Sequence, residues 1–425
     1  MLDRTKELLK DKVIQDTVVV TAGLLMGSVF SYLLQFYLGR SLSVEDYGTF
    51  NALLSLAYLV GIPTIVFNTS ITKLVSELFG QSKLPQLSKL FSKLTLGLLS
   101  LGVLFLVIFI VFGSFLDSYL KIGDYFLIIV NGLFLSTSFL PIIPGSYLQG
   151  LLRFRSYAVY SVFSGVVRFI IPTVLVFLGY RLYGVFVGFL LSSILAYLFG
   201  YALLKKHFVS PQGIKMDGLY KKLFIVGMPA LLFNSGMMVL NNIDVLMVKR
   251  YFPSVDVGYY AGVVTLGKIF LFGAGTVATV MFPQIAKLFS SKTNYRDTFV
   301  KFLAFQLILV LGGLCVFSAI PGFLTHLFFG VRFEASIILL PRFSIFIALY
   351  ILVNFLALFF LAIEKYKLPI VLLPAVVVQF VLLNIFHRDL LEIINVNIAV
   401  TLVVLVIFIV FLIRDYVNNS SRTSL

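Results

Sequence analysis

Tryptophan is missing from this 425-residue chain, cysteine occurs once and histidine three times. The single Cys315 lies in an apolar run, so no intrachain disulfide can form, and His207, His326 and His387 are too far apart to give metal-ligand spacing. No metal and no cofactor are expected. Charge is scarce as well: 12% of residues are Asp, Glu, Lys or Arg, about half the share in an ordinary soluble domain. The phosphate-cradling G-x-x-x-x-G-K-[ST] loop, the zinc-binding H-E-x-x-H pair and the G-x-S-x-G nucleophile elbow are all absent. These absences argue against nucleotide hydrolysis by the usual motif and against an enzyme.

What remains is apolar. Hydrophobic residues make up 60% of the chain, Phe occurs 45 times and Tyr 21 times, and mean hydropathy is +1.06. The apolar residues fall in runs long enough to cross hydrocarbon as helices. Their spacing predicts an all-α integral membrane protein with twelve transmembrane helices, at about 13–39, 47–72, 88–113, 124–150, 157–179, 183–204, 220–248, 257–283, 299–320, 334–362, 368–386 and 393–413. In a soluble protein the net charge of +15 would suggest nucleic acid. Here the basic residues sit in short loops between apolar spans, so no nucleic-acid partner is expected. Of the 33 basic residues, 23 lie at the termini and in loops after even-numbered spans, and 7 in loops after odd-numbered spans. Lys and Arg are retained on the cytoplasmic side. The bias therefore places both termini in the cytoplasm, in a multi-pass protein of the inner membrane.

One segment is written twice. Arg40, Asp46 and Gly48 recur as Arg250, Asp256 and Gly258, all offset by 210 residues. Six spans separate the copies, so the halves 1–212 and 213–425 should point the same way across the membrane, as two parallel six-helix bundles around a central cavity. Locally the motif reads as structural: Ser43 with Asp46, and Ser254 with Asp256, suit helix caps, while Arg40 and Arg250 can reach lipid phosphate. Direct substrate contact by these residues is the alternative.

Three cations lie inside the expected spans: Arg168, Lys268 and Arg342. A charge at that depth costs on the order of 3 kcal/mol, so these side chains should face water and attract an anion. The one acid plainly within a span is Asp244, read either as an ion site or as a salt-bridge partner of Lys268. Pro63, Pro141, Pro144, Pro172, Pro229 and Pro374 fall in or near spans, where a missing N–H bends the helix.

The stretches FYLGRSLSVEDYGTFNALLSL (36–56), YLQGLLRFRSYAVYSVFSGVVRFIIP (147–172), NNIDVLMVKRYFPSVDVGYYAGVVTLGKIF (241–270) and VMFPQIAKL (280–288) resemble the polysaccharide-export branch of the multidrug/oligosaccharidyl-lipid/polysaccharide exporter superfamily, which includes O-antigen flippases. The resemblance implies alternating access and a cargo of polyprenyl-pyrophosphate-linked oligosaccharide, moved from the inner to the outer leaflet for cell-surface polysaccharide biosynthesis. It makes Arg168, Lys268 and Arg342 the substrate-binding candidates, with membrane lipids and a coupling ion, proton or sodium, as further partners. Two other readings stay open. One is an ion-coupled multidrug or organic-cation exporter of the same superfamily; the other is a membrane glycosyltransferase or ligase.

Overall fold

The computed structural model describes residues 12–208, 231, 233–365 and 367–420. The charged N-terminal stretch, most of the 205–222 connection, Pro229 with the first half of span seven, and the last residues of the tail lie outside them. The described residues are helical, with short turns between. We number the helices α1 (Lys12–Ser41), α2 (Val44–Val60), α3 (Pro63–Gly80), α4 (Leu84–Leu120), α5 (Tyr125–Ser138), α6 (Ile142–Gly150), α7 (Phe154–Leu175), α8 (Arg181–Leu204), α9 (Ile243–Tyr251), α10 (Ser254–Ser290), α11 (Arg296–Ala319), α12 (Pro321–Phe329), α13 (Leu340–Ala362), α14 (Leu372–Ile385) and α15 (Leu390–Ser420).

Among the described residues nine segments are long and apolar enough to cross a membrane. Twelve were expected, and the differences have structural causes. Spans five and six run together as Phe154–Leu204, because α7 and α8 are joined by the π turn Val176–Tyr180, where Gly179 takes φ 95°. Span two is two shorter helices, α2 and α3, parted at Gly61–Ile62 with Pro63 in the first turn of α3. Proline lacks an N–H and fits the first turn of a helix better than its interior. Span seven lies partly outside the described residues.

The chain forms two compact units, one comprising residues 1–42 and 60–231 and the other 43–59 and 232–425. Thus α2 groups with the second unit, whereas the helices on either side of it group with the first.

In the first unit α1 packs along α7 through small residues. A Cβ on Gly23 would lie 2.7 Å from the Ala158 Cα, and one on Gly165 would lie 2.8 Å from the Gly27 Cα. In hydrocarbon no hydrophobic force presses helices together, so such close backbone approach supplies the packing energy. The break between α5 and α6 is closed from α7, where the Tyr160 hydroxyl donates to the Pro141 carbonyl at 2.7 Å. Beneath it Phe91, Ile143, Tyr147 and Leu148 form the buried core, with the Tyr147 hydroxyl donating to the Leu87 carbonyl at 2.9 Å.

In the second unit α2 crosses α10 at close range, and here the duplicated motif finds its use. Its two glycines face each other: a Cβ on Gly48 would stand 2.6 Å from the Gly258 amide nitrogen, and one on Gly258 would run into the Val44 carbonyl. Just below, the Tyr47 hydroxyl meets the Thr265 hydroxyl at 2.8 Å, and the Tyr47 ring lies 5.5 Å from those of both Phe329 and Phe333. The expected cap by Ser43 is present, its hydroxyl accepting from the Asp46 amide at 3.1 Å. The expected cap by Ser254 is not: α10 is preceded by Pro253 and has no side-chain cap, so Asp256 acts there only as an acid in the first turn.

Gly258→Ala should destabilise the protein by about 1–3 kcal/mol through overpacking against backbone, measured as a drop in Tm in detergent. Gly80→Ala, where nothing lies within 4 Å of a new Cβ, should be neutral. Equal melting of the two variants would contradict the glycine crossing.

Candidate functional site

Span seven is interrupted. Residues 233–240 are helical, Asn241 and Asn242 form a turn, and α9 restarts at Ile243. A break inside a membrane helix frees backbone groups that need partners from protein. The Leu240 carbonyl is taken by Gln379 Nε2 from α14 at 3.0 Å. The restart also creates a helix N-terminus, where exposed N–H groups favour negative charge. Asp244 sits in that first turn and is fully buried.

Its carboxylate is held from three sides. Oδ1 accepts from the Val245 amide at 2.9 Å. Oδ2 accepts from the Tyr260 hydroxyl of α10 at 2.5 Å and from Asn397 Nδ2 of α15 at 2.8 Å. Gln379 Nε2 also donates to Asn397 Oδ1 at 2.9 Å, so α9, α10, α14 and α15 meet in one buried polar network. Two acceptors at its margin have no hydrogen-bond donor among the described residues: Gln379 Oε1 and Thr401 Oγ, the latter one turn along α15 from Asn397.

Lys268, near the middle of α10, points to the same break. Its ammonium donates to Asn242 Oδ1 at 3.2 Å and lies 4.8 Å from the centroid of the Tyr58 ring of α2. Asn242 is fixed in turn by donating to the Met238 carbonyl at 2.8 Å. Asp244 and Lys268 attract each other electrostatically, but the hydrogen bonds to the carboxylate come from Val245, Tyr260 and Asn397. The salt-bridge alternative therefore takes a modified form, an attraction between two charges each held by neutral groups. The same crossing buries Lys249, 2% exposed, with its ammonium 2.9 Å from the Thr49 hydroxyl. By sequence Lys249 counted only as a loop residue.

The other two cations are placed differently. Arg168 lies mid-helix in α7, in the first unit, exposed, with its guanidinium carbon 4.8 Å from the Phe189 ring centroid. Arg342 belongs to the first turn of α13, exposed, and not some eight residues into a span. The residues expected to start span ten instead belong to the short 3-10 helix Val331–Ser336 and the turn after it. Of the three cations, only Lys268 is joined to the network. Arg40 is exposed at the end of α1, and the Arg250 guanidinium lies 5.3 Å from the Tyr251 ring centroid.

Long apolar helices, interrupted spans and a polar network buried within them define a multi-pass membrane protein. The fold is that of transporters of the multidrug/oligosaccharidyl-lipid/polysaccharide superfamily. It is similar to the structure of the lipid II flippase MurJ in an inward closed conformation, with a TM-score of 0.71 and 14% identity over 94% of this chain and 87% of that one. It is also similar to an inward-facing multidrug resistance MATE family transporter, with a TM-score of 0.68 and 15% identity over 92% of this chain and 95% of that one. An outward-facing transporter of the same kind matches with a TM-score of 0.62 and 14% identity, over 95% of this chain and 96% of that one. The chain belongs to the polysaccharide biosynthesis protein family, whose profile matches residues 13–289. That match includes both motif copies, Arg168, Asp244 and Lys268, and excludes Arg342. No curated protein matches the chain by sequence.

Removing one donor to a buried carboxylate costs about 1.5–3 kcal/mol. Tyr260→Phe and Asn397→Leu should each destabilise the protein to that extent, and by clearly less in an Asp244→Asn background. Thermal unfolding of the single and double variants measures the coupling; additive losses would show that the network is not one unit.

Proposed function

We propose that the protein is a flippase that carries a polyprenyl-pyrophosphate-linked oligosaccharide from the inner to the outer leaflet by alternating access, as a step in making cell-surface polysaccharide, and that it is not an enzyme. The observation that carries this reading is the setting of Lys268. A lysine in the middle of a membrane helix, held by an amide oxygen and an aromatic ring, presents positive charge where a diphosphate needs compensation for lost hydration. Membership of a polysaccharide biosynthesis family supplies the context.

In this reading Lys268 is the principal contact for the pyrophosphate. Arg168, in the first unit, carries a guanidinium suited to bidentate phosphate recognition. Arg342, at a helix start, suits capture of the anion as it enters or leaves the span. The prenyl tail stays in lipid throughout. The break at Gly61–Ile62 in span two gives the chain a joint that a change of access requires, since a helix without its i to i−4 ladder at two residues bends at low cost.

Asp244 is the site for coupling to a proton or to sodium. A buried carboxylate bonded to Asn397, which in turn bonds Gln379 and precedes Thr401 by one helical turn, belongs to a region where Gln379 Oε1 and Thr401 Oγ lack donors, and such oxygens are the ligands a hard cation takes. Its charge acts on Lys268, so a bound cation would alter the hold on the anionic cargo. The same carboxylate favours the second reading, an ion-coupled exporter of organic cations, in which Asp244 would attract the cargo itself.

Purified protein in proteoliposomes should move a fluorescent polyprenyl-pyrophosphate oligosaccharide between leaflets. Losing charge-assisted contacts of about 1.5–3 kcal/mol predicts roughly a 10- to 100-fold lower rate in Lys268→Ala/Arg342→Ala, with Lys268→Arg keeping most of it. Wild-type rates in the double variant would reject the cationic site. Transport of organic cations with indifference to the pyrophosphate lipid would favour the exporter, and sugar transfer without a bilayer would favour the glycosyltransferase. Asp244→Asn should leave leaflet exchange insensitive to proton and sodium gradients; unchanged gradient dependence would remove Asp244 from coupling.

A further inference from the structure

At the end of the second unit that charge bias assigns to the outside, α9, α10 and α15 surround a cavity of about 600 Å³, within the range of small-molecule sites. Its lining mixes apolar residues, among them Ile338, Leu339, Leu390 and Leu391, with charged ones. Tyr251, Phe252 and Tyr259 contribute rings, Asp256 and Asp389 carboxylates, and Arg388 a guanidinium. Flat apolar faces beside strong acceptors and one donor match the two surfaces of a sugar, whose C–H faces are apolar and whose rim is hydroxyl. We propose that this cavity is a carbohydrate-binding site for a neutral pyranose ring.

The rings are held in place before any ligand arrives. Tyr251 stacks on His387 with centroids 3.9 Å apart and planes at 20°, and its hydroxyl donates to Asn384 Oδ1 at 2.8 Å. Tyr259 is set edge-on to Phe333, with centroids 6.4 Å apart and planes at 83°, and its carbonyl accepts from the Ser336 hydroxyl at 2.9 Å. Ordering costs on binding are thus already reduced. The acceptors are open to a ligand as well. Asp256 is half-buried in the first turn of α10, and no hydrogen bond to its carboxylate occurs among the described residues. Asp389 engages Oδ1 with the Glu392 amide at 2.8 Å, as the cap of α15. The lining carries two carboxylates, Asp256 and Asp389, and one guanidinium, Arg388, a balance that disfavours uronic acids and lipid phosphate and favours an uncharged sugar.

As a resting place for the cargo's glycan once outside, the site depends on the flippase reading; binding of a free saccharide does not. The test uses the full chain in lipid nanodiscs and saturation-transfer NMR with maltotetraose, chitotetraose and tetragalacturonate. Both neutral tetramers should receive saturation at their ring protons, and tetragalacturonate much less. Signal should fall at least about fivefold, a change of about 1 kcal/mol, in Tyr259→Ala, in Asp256→Asn and in Ala335→Trp, the last filling the cavity from an exposed position. Absence of transfer to both neutral tetramers, equal signal in all three variants, or preference for tetragalacturonate would overturn the proposal. Leaflet exchange measured alongside separates the two readings. Exchange without saccharide binding removes this site alone, whereas saccharide binding without exchange removes the flippase reading and leaves the sugar site standing.

Discussion

A helix that stops inside hydrocarbon must hand its unpaired backbone groups to side chains, because no water is present to take them. The interruption at Asn241–Asn242 imposes this requirement, and the polar part of the second unit is arranged to meet it. Gln379 takes the freed Leu240 carbonyl, Asp244 occupies the new N-terminus, and Asn242, released from the ladder at its side chain, becomes the partner of Lys268. The acid then needs its own donors, which Tyr260 and Asn397 provide. One irregularity in the backbone thus accounts for a charge pair, three amides and a tyrosine in a region that composition would have made wholly apolar.

The three cations that the sequence puts inside spans, equivalent when read as letters, are separated by what surrounds them. Lys268 is compensated by an amide oxygen and a ring and feels a buried carboxylate. Arg168 lies against an aromatic face in the other unit, and Arg342 stands at the start of a helix. A guanidinium at a helix start loses little hydration, whereas an ammonium at mid-span loses most of it. For that reason only Lys268 is surrounded by a network that stabilises it.

The all-helical membrane character was legible in the sequence because apolar length is a collective signal, robust to errors in single residues. Helix breaks were partly legible: Gly61 with Pro63 marked one, while Asn241–Asn242 carried no proline to announce it. Asp244 and Lys268 stood out as charges in apolar runs. Their partners did not, since Tyr260, Gln379 and Asn397 are ordinary residues in apolar helices, 16, 135 and 153 positions away from Asp244, and no local pattern links them. The duplicated Arg, Asp and Gly pattern was visible, and so was the cap at Ser43, but the part played by its glycines was not. The glycines matter for their lack of a side chain, and the two copies meet each other, which spacing alone cannot reveal. Ser254 failed as a cap because Pro253 sets the entry to α10.

The grouping of residues 43–59 with the second unit bears on how such a molecule can be assembled. Helix α10 finds its glycine partner, and Lys268 its aromatic platform, on a segment synthesised before any of the second unit's other helices leaves the ribosome. A polypeptide beginning near residue 213 would lack that scaffold and expose the small-residue face of α10. The C-terminal part is thus no autonomous module: one copy of the repeated segment is already in place when the other, made 210 residues later, comes to pack against it.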